Sequence, residues 1–194
     1  MKQGITAVAF VFALAILGCS SISVSNQWRD PSWHGTPATN VVVVGIARSE
    51  STRRVFEDTF AQQLQTSGVT ATSSYSQIPP GETTVKLGDF VKSSGANAVL
   101  VTRITRVEHK VNVSASPTPV YGGFYGWYGS AWASTPMVTQ YDVVTLETDL
   151  WDTNSDKLVW AVSTHGISSR DIPGVTRDLA QALIPRMKAD GVLR

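Results

Sequence analysis

The chain has 194 residues, with 16 Lys and Arg against 15 Asp and Glu, three histidines and a single cysteine. That near balance offers no basic surface to a polyanion, which argues against nucleic acid as a partner, and one cysteine excludes an intramolecular disulfide framework. A length of this order supports one domain with a sizeable core.

The amino terminus has the three parts of an export signal: a positive start at Lys2, an apolar stretch from Ile5 to Leu17, and small residues at the cut site. The apolar stretch is well short of the roughly 20 residues that a membrane-spanning helix needs, so a permanent transmembrane anchor is not expected. The lone cysteine follows directly, in Leu14-Ala15-Ile16-Leu17-Gly18-Cys19-Ser20-Ser21. Ile16-Leu17-Gly18-Cys19 resembles a lipobox, although Leu17 departs from the commoner small or β-branched residue. The resemblance implies a lipoprotein signal peptide over residues 1–18, acylation of Cys19, and a membrane held through several acyl chains, since one alone attaches only marginally. By likeness to Gram-negative sorting, Ser20 in place of aspartate implies the outer membrane, facing the periplasm. The competing reading is an ordinary cysteine beside an ordinary cleaved signal.

About 176 of the 194 residues remain after residue 18. Ser20 to Asn40 is rich in Ser, Pro, Thr and Gly and has neither a helical nor a strand period, so residues 19–40 read as a lipidated tether. Trp28 and Trp33 interrupt it. Packing of Trp28 onto the domain is favoured over contact with membrane or partner, because an indole gains area wherever a surface is near.

Residues 41–194 then read as one α/β domain. Val41-Val42-Val43-Val44-Gly45-Ile46 has the unbroken β-branched character of a strand covered on both faces. Ser49 or Ser51 can cap a helix running to about Thr66, with Gly68 as its left-handed stop. Val55, Phe56, Phe60 and Leu64 mark its apolar face, while Arg53, Glu57 and Asp58 read as solvated and paired at helical spacing. A second strand is expected from Val69 to about Tyr75. After the break at Pro79-Pro80-Gly81 comes a helix near Thr84 to Ser93 that buries Leu87, Phe90 and Val91 and stops at Gly95.

Ala98 to Val113 reads as a long third strand, on which Arg103 and Arg106 should point to opposite faces. Val138 to Trp151 and Leu158 to Ser168 are strands joined by a short polar turn, hence antiparallel. Val175, Leu179, Ala182, Leu183 and Met187 lie along a final helix that Pro185 should kink or divide. The expected fold class is α/β: a single-domain sandwich with a mixed sheet of about five strands, parallel in its first half and antiparallel in its second, and about three helices.

Once these elements are set out, Arg53-Arg54-x-Phe56-Glu57-Asp58, the turn Leu150-Trp151-Asp152 and the strand pair Val159-Trp160 resemble motifs of a family of small bacterial envelope lipoproteins. That resemblance covers roughly residues 28–194, and no activity attaches to its motifs. More distantly, the architecture is similar to the amino-terminal domain of the Tol translocation protein B, to the activator lipoproteins of penicillin-binding proteins and to the curli-secretion lipoprotein. Fold analogy of that kind says little about function.

Little chemistry is visible. His34, His109 and His165 are isolated, with no spacing that binds zinc, and no Gly-x-Ser-x-Gly elbow appears. No cofactor, metal site or catalytic residue is expected. The most unusual stretch lies in the loop 114–137, where aromatics alternate with glycines and Lys110 and Asp142 are the flanking charges. Its rings, Tyr121, Phe124, Tyr125, Trp127, Tyr128 and Trp132, can fold back on the domain. They can also form a protein contact, as aromatic hot spots do, or stack on glycan or lipid. The sequence therefore points to a non-enzymatic, lipid-anchored periplasmic accessory or assembly factor with an envelope protein as partner. The alternatives are an oligomeric secretion or transport component built from copies of the chain, and a ligand-binding protein or hydrolase with a pocket assembled from distant residues.

Overall fold

The computed structural model describes residues 22–78, 84–114, 137–168 and 170–194. Six strands and three helices lie among them: β1 (Ile22–Arg29), β2 (Asn40–Ile46), α1 (Glu50–Thr66), β3 (Thr70–Ser73), α2 (Thr84–Ser93), β4 (Ala98–Ser114), β5 (Met137–Asp152), β6 (Lys157–Ile167) and α3 (Ile172–Ala189). They build one mixed sheet of order β1-β6-β5-β4-β2-β3. β3, β2 and β4 run parallel, and β4, β5, β6 and β1 are antiparallel neighbours.

Each helix terminus follows its local chemistry. Ser49 caps α1 by accepting from the Thr52 N–H, and Gly68 and Gly95 take φ +89° and +64° in the turns after α1 and α2. Asp171 caps α3. Pro185 does not divide α3, which runs unbroken to Ala189. The proline removes one backbone donor, but Leu183, Ile184 and Met187 are buried on either side and hold the turn in place.

The sheet is one strand larger than expected, because Ile22–Arg29, within the stretch expected to be tether, pairs with β6 from Ile22↔Gly166 to Arg29↔Trp160. A bulge between Val24 and Asn26 breaks the alternation. Ile22 and Val24 face the core before it, and Gln27 and Arg29 return to that face after it, so no two-residue apolar period survives in sequence. The packing expected of Trp28 is not found: it stands 46% exposed, because the register after the bulge sets it opposite Ala161 on the face away from the main core, and it is Trp33 that is buried.

The main core lies between one face of the sheet and α1 and α3. Val41, Val43, Leu100, Leu150, Trp160 and Val162 meet Phe60 and Leu64 of α1 and Leu179, Leu183 and Met187 of α3. A smaller cluster forms where α2 covers Val42 on the opposite face. Right-handed crossovers account for this division, because the chain moves one way in the sheet from β2 to β3 and the other way from β3 to β4. Beyond Val143↔Ile167, β4 and β5 pair with each other alone, out to Ser114↔Met137.

Candidate functional site

Connections leave β2 and β4 in opposite senses, and in open α/β sheets the crevice at the carboxyl end of such strands is the usual ligand position. Here that end is Gly45, Ile46 and Ala47. A cavity of about 150 Å³ lies there, walled by Thr52, Arg53 and Phe56 of α1 and by Ile172, Val175, Thr176 and Leu179 of α3. Its floor is the sheet: Ile22, Thr102, Ile104, Val144, Leu146, Thr164 and Gly166, with Arg103 and Ser168 also on its lining. The lining is largely aliphatic, and Ile46 and Ile104 keep 57% and 53% of their surface exposed at the mouth.

One wall is fixed by a buried ionic cluster. Glu57 is fully buried on α1, and its Oε1 accepts from Arg53 Nε, the Gly45 N–H and Ser74 Oγ, each at 2.9 Å. Its Oε2 accepts from the Tyr75 N–H at 2.8 Å. Arg53 also donates to Ser74 Oγ at 3.0 Å. A buried carboxylate is tolerated only when paired and hydrogen-bonded, and these donors come from β2, α1 and the turn after β3. The cluster therefore ties the carboxyl end of β2 to α1. Gly45 is required beside it, since a Cβ there would stand 2.8 Å from Phe56 Cδ1.

A second polar feature is unsatisfied. Thr164 of β6 lines the cavity, is 1% exposed, and its Oγ1 has no hydrogen-bond partner. The neighbouring hydroxyls differ: Thr102 and Thr148 bond each other at 3.0 Å, and Thr176 donates to the Ile172 carbonyl at 2.7 Å.

Exposed aliphatic side chains continue away from the cavity. A bulge between Ile104 and Arg106 resets β4, so that Ile104, Val107 and Val111 share the helix-side face, with His109 between the two valines, and Val107 and Val111 are 49% and 60% exposed. The same bulge corrects the expectation for the arginines. Arg103 opposes Glu147 and Arg106 opposes Thr145, two positions apart on β5, so both lie on the other face. Arg103 bonds Glu147 there at 2.7 Å, and Arg106 pairs with Glu108 at 3.3 Å. On that face Asp149 has one oxygen without a partner, and burial, aided by Glu147, pushes its carboxyl above the usual carboxylate range.

The residues singled out by sequence fare unevenly. Cys19 and the rings Tyr121, Phe124, Tyr125, Trp127, Tyr128 and Trp132 lie outside the described residues. His109 is exposed and bonded to Asp142, whereas His165 is half-buried and shares a 2.9 Å bond with Thr145 Oγ1. Glu57, expected on a solvated helix face, is instead buried with Arg53, while Val55, expected to be buried, is 37% exposed. Asp58 stays at the surface, bonded to Ser73 and Tyr75. Among the described residues no three His, Cys, Asp or Glu come together as metal ligands, and no helix is long and apolar enough to cross a membrane.

No protein-family model matches the chain, and no curated protein does. Among solved structures, a PelC dodecamer from Paraburkholderia phytofirmans is similar at 17% identity and a TM-score of 0.47, over 89% of this chain and 99% of that one. Lipoprotein GNA1162 from Neisseria meningitidis is similar at 15% identity and a TM-score of 0.41, over 78% and 99% of the two chains. A putative neuraminyllactose-binding hemagglutinin homolog from Helicobacter pylori follows at 11% identity and a TM-score of 0.27, over 80% and 86%.

Proposed function

We propose that this chain is a non-enzymatic, lipid-anchored accessory domain of the bacterial envelope, which works by binding through the crevice between α1, α3 and the carboxyl end of β2. The observation that carries this reading is the character of the crevice. It is lined mainly by aliphatic side chains, its two arginines are committed, Arg53 to Glu57 and Ser74 and Arg103 to Glu147, and its remaining polar side chains are hydroxyls. The groups displaced from their ordinary titration range, Asp149 among them, do not line it. A crevice with this lining favours binding over acid–base or nucleophilic chemistry.

The anchor half of the proposal rests on Cys19 in its lipobox-like setting. Radiolabelled palmitate supplied to cells should label the wild-type chain and sediment with it in the outer-membrane fraction. Cys19→Ser should lose the label and move to the soluble periplasmic fraction. Unchanged labelling of the variant would remove the lipoprotein assignment. For the partner, crosslinking probes at Tyr125 and Trp127 in intact cells should yield a discrete protein adduct.

A further inference from the structure

We infer that the crevice is an acyl-chain site, which takes the hydrocarbon of a lipid and receives the lipid's carbonyl at Thr164 Oγ1. The inference rests on the crevice being the working surface proposed above and names what occupies it. Three observations converge. The first is size and lining: a cavity of about 150 Å³ whose lining surface is mainly apolar is of the kind that admits a small hydrocarbon. It opens at Ile46 and Ile104, so a chain longer than the cavity can run out through the mouth.

The second observation is the aliphatic surface beyond the mouth. Ile104, Val107 and Val111 are each about half exposed or more, on the same face of β4, which the bulge at Thr105 brings about. His109, bonded to Asp142, stands between Val107 and Val111 on that face, so the aliphatic surface next to the mouth is Ile104 with Val107, which remain in contact with water unless something apolar lies against them. A hydrocarbon that leaves the cavity past Ile104 meets Val107 next.

The third is the one unsatisfied polar group in the lining. A buried hydroxyl without a partner is unfavourable. A fatty acyl group supplies an apolar chain together with one carbonyl acceptor, the complement of a mainly aliphatic crevice that holds one buried hydroxyl without a partner. A pure hydrocarbon would leave Thr164 unpaired, and a polar metabolite would strand its own groups against the isoleucines, leucines and valines.

Two sources could supply that chain. Ile22 of β1 lines the cavity and stands three positions after Cys19, a separation that extended backbone covers in at most about 11 Å. The anchor's own acyl chain is thus one source, and a membrane phospholipid or free fatty acid is the other.

The test uses the Cys19→Ser chain, which has no anchor of its own, titrated with the fluorescent fatty acid cis-parinaric acid. Saturable binding is expected. Ile104→Glu, at a half-exposed position where folding is not at risk, should weaken it by about tenfold or more by placing a charge at the mouth. Thr164→Val should weaken it several-fold while leaving the fold intact by circular dichroism. The source is read in cells from a photoreactive residue at Ile104 in the otherwise wild-type chain. An adduct to the chain's own amino-terminal lipid identifies the anchor, and an added phospholipid mass identifies the membrane. A folded Cys19→Ser chain that does not bind the probe, or binding undiminished in Ile104→Glu, would overturn the inference. Palmitate labelling of Cys19 is independent of these outcomes, so loss of the anchor assignment and loss of the acyl site can be told apart.

Discussion

Glu57 lies one helical turn beyond Arg53 on α1, and the 2.9 Å bond from Arg53 Nε to Glu57 Oε1 is buried beneath the end of β2. The pair does more than neutralise itself. Glu57 also accepts the Gly45 N–H, for which β3 supplies no partner because its pairing with β2 ends at Val43↔Ser73. The carboxylate thus substitutes for a missing strand at the point where β2 opens into the crevice. Burial of such a pair is not in itself stabilising, but breaking it leaves an uncompensated charge.

Glu57→Ala is therefore expected to cost about 3–5 kcal/mol, read as a lowered urea midpoint at unchanged slope. The double change Arg53→Met with Glu57→Leu should recover only the share due to the uncompensated arginine, since the Gly45 and Tyr75 N–H groups still lose their acceptor. A single-variant cost below about 1 kcal/mol, the scale of an exposed pair, would contradict the buried geometry.

Gly45→Ala tests the contact on the other side of the same junction. Its Cβ would fall 2.8 Å from Phe56 Cδ1, against an aromatic ring whose Phe60 neighbour is itself fully buried. Overpacking of this kind costs roughly 1–3 kcal/mol, and the thermal midpoint should fall accordingly. Gly45→Ala with Phe56→Leu should restore part of it; no restoration would place the strain elsewhere.

The alternation of strand and helix from Val41 to Val113 was legible because each element carries its own period and stop, with Gly68 and Gly95 at positive φ where expected. β1 was not, since an exposed edge strand with a bulge has no continuous alternation to detect, and its core-side contacts are made by the polar Gln27 and Arg29. The crevice was hidden for a related reason. Its residues come from β1, β2, α1, β4, β5, β6 and α3, so no local motif gathers them. Arg53 and Glu57 were visible as an i,i+4 pair, but pattern alone assigns two charges to the solvent face, and only the donors from Gly45, Ser74 and Tyr75 make their burial tolerable. The bulge at Thr105, which brings Ile104 and Val107 to one face, leaves no signature in the amino acids themselves.

Asp149 offers a pH-dependent test on the opposite face. Burial and the nearby Glu147 raise its carboxyl, and Arg103 offsets this in part. A raised folded-state value means that the charged form is disfavoured in the native protein. Its unfavourable contribution is therefore fully present above the folded pKa and is relieved as pH falls through that value toward the ordinary 3.8. Asp149→Asn should raise the thermal midpoint at pH 7, and the gain should shrink steadily on acidification. A gain independent of pH would assign it to packing instead of charge.

The attachment of β1 turns on Asp190, the residue that caps α3. Its Oδ2 accepts from the indole N–H of the fully buried Trp160 at 2.7 Å and from Gln27, while its backbone carbonyl accepts from Arg29 Nε at 2.8 Å. One residue thus connects the end of α3 to β6 and to two side chains of the edge strand. Asp190→Ala leaves the indole donor without its acceptor, which should cost about 1–3 kcal/mol. Gln27→Ala, at an exposed site, should stay within about 0.5 kcal/mol. The two variants separate further in amide exchange: Asp190→Ala should speed exchange across residues 22–29 ahead of β6, because Gln27 loses its anchor while the ladder to β6 remains. Uniform acceleration through β6 and α3 would show instead that Asp190 acts on the whole core, with β1 held by its backbone pairing alone.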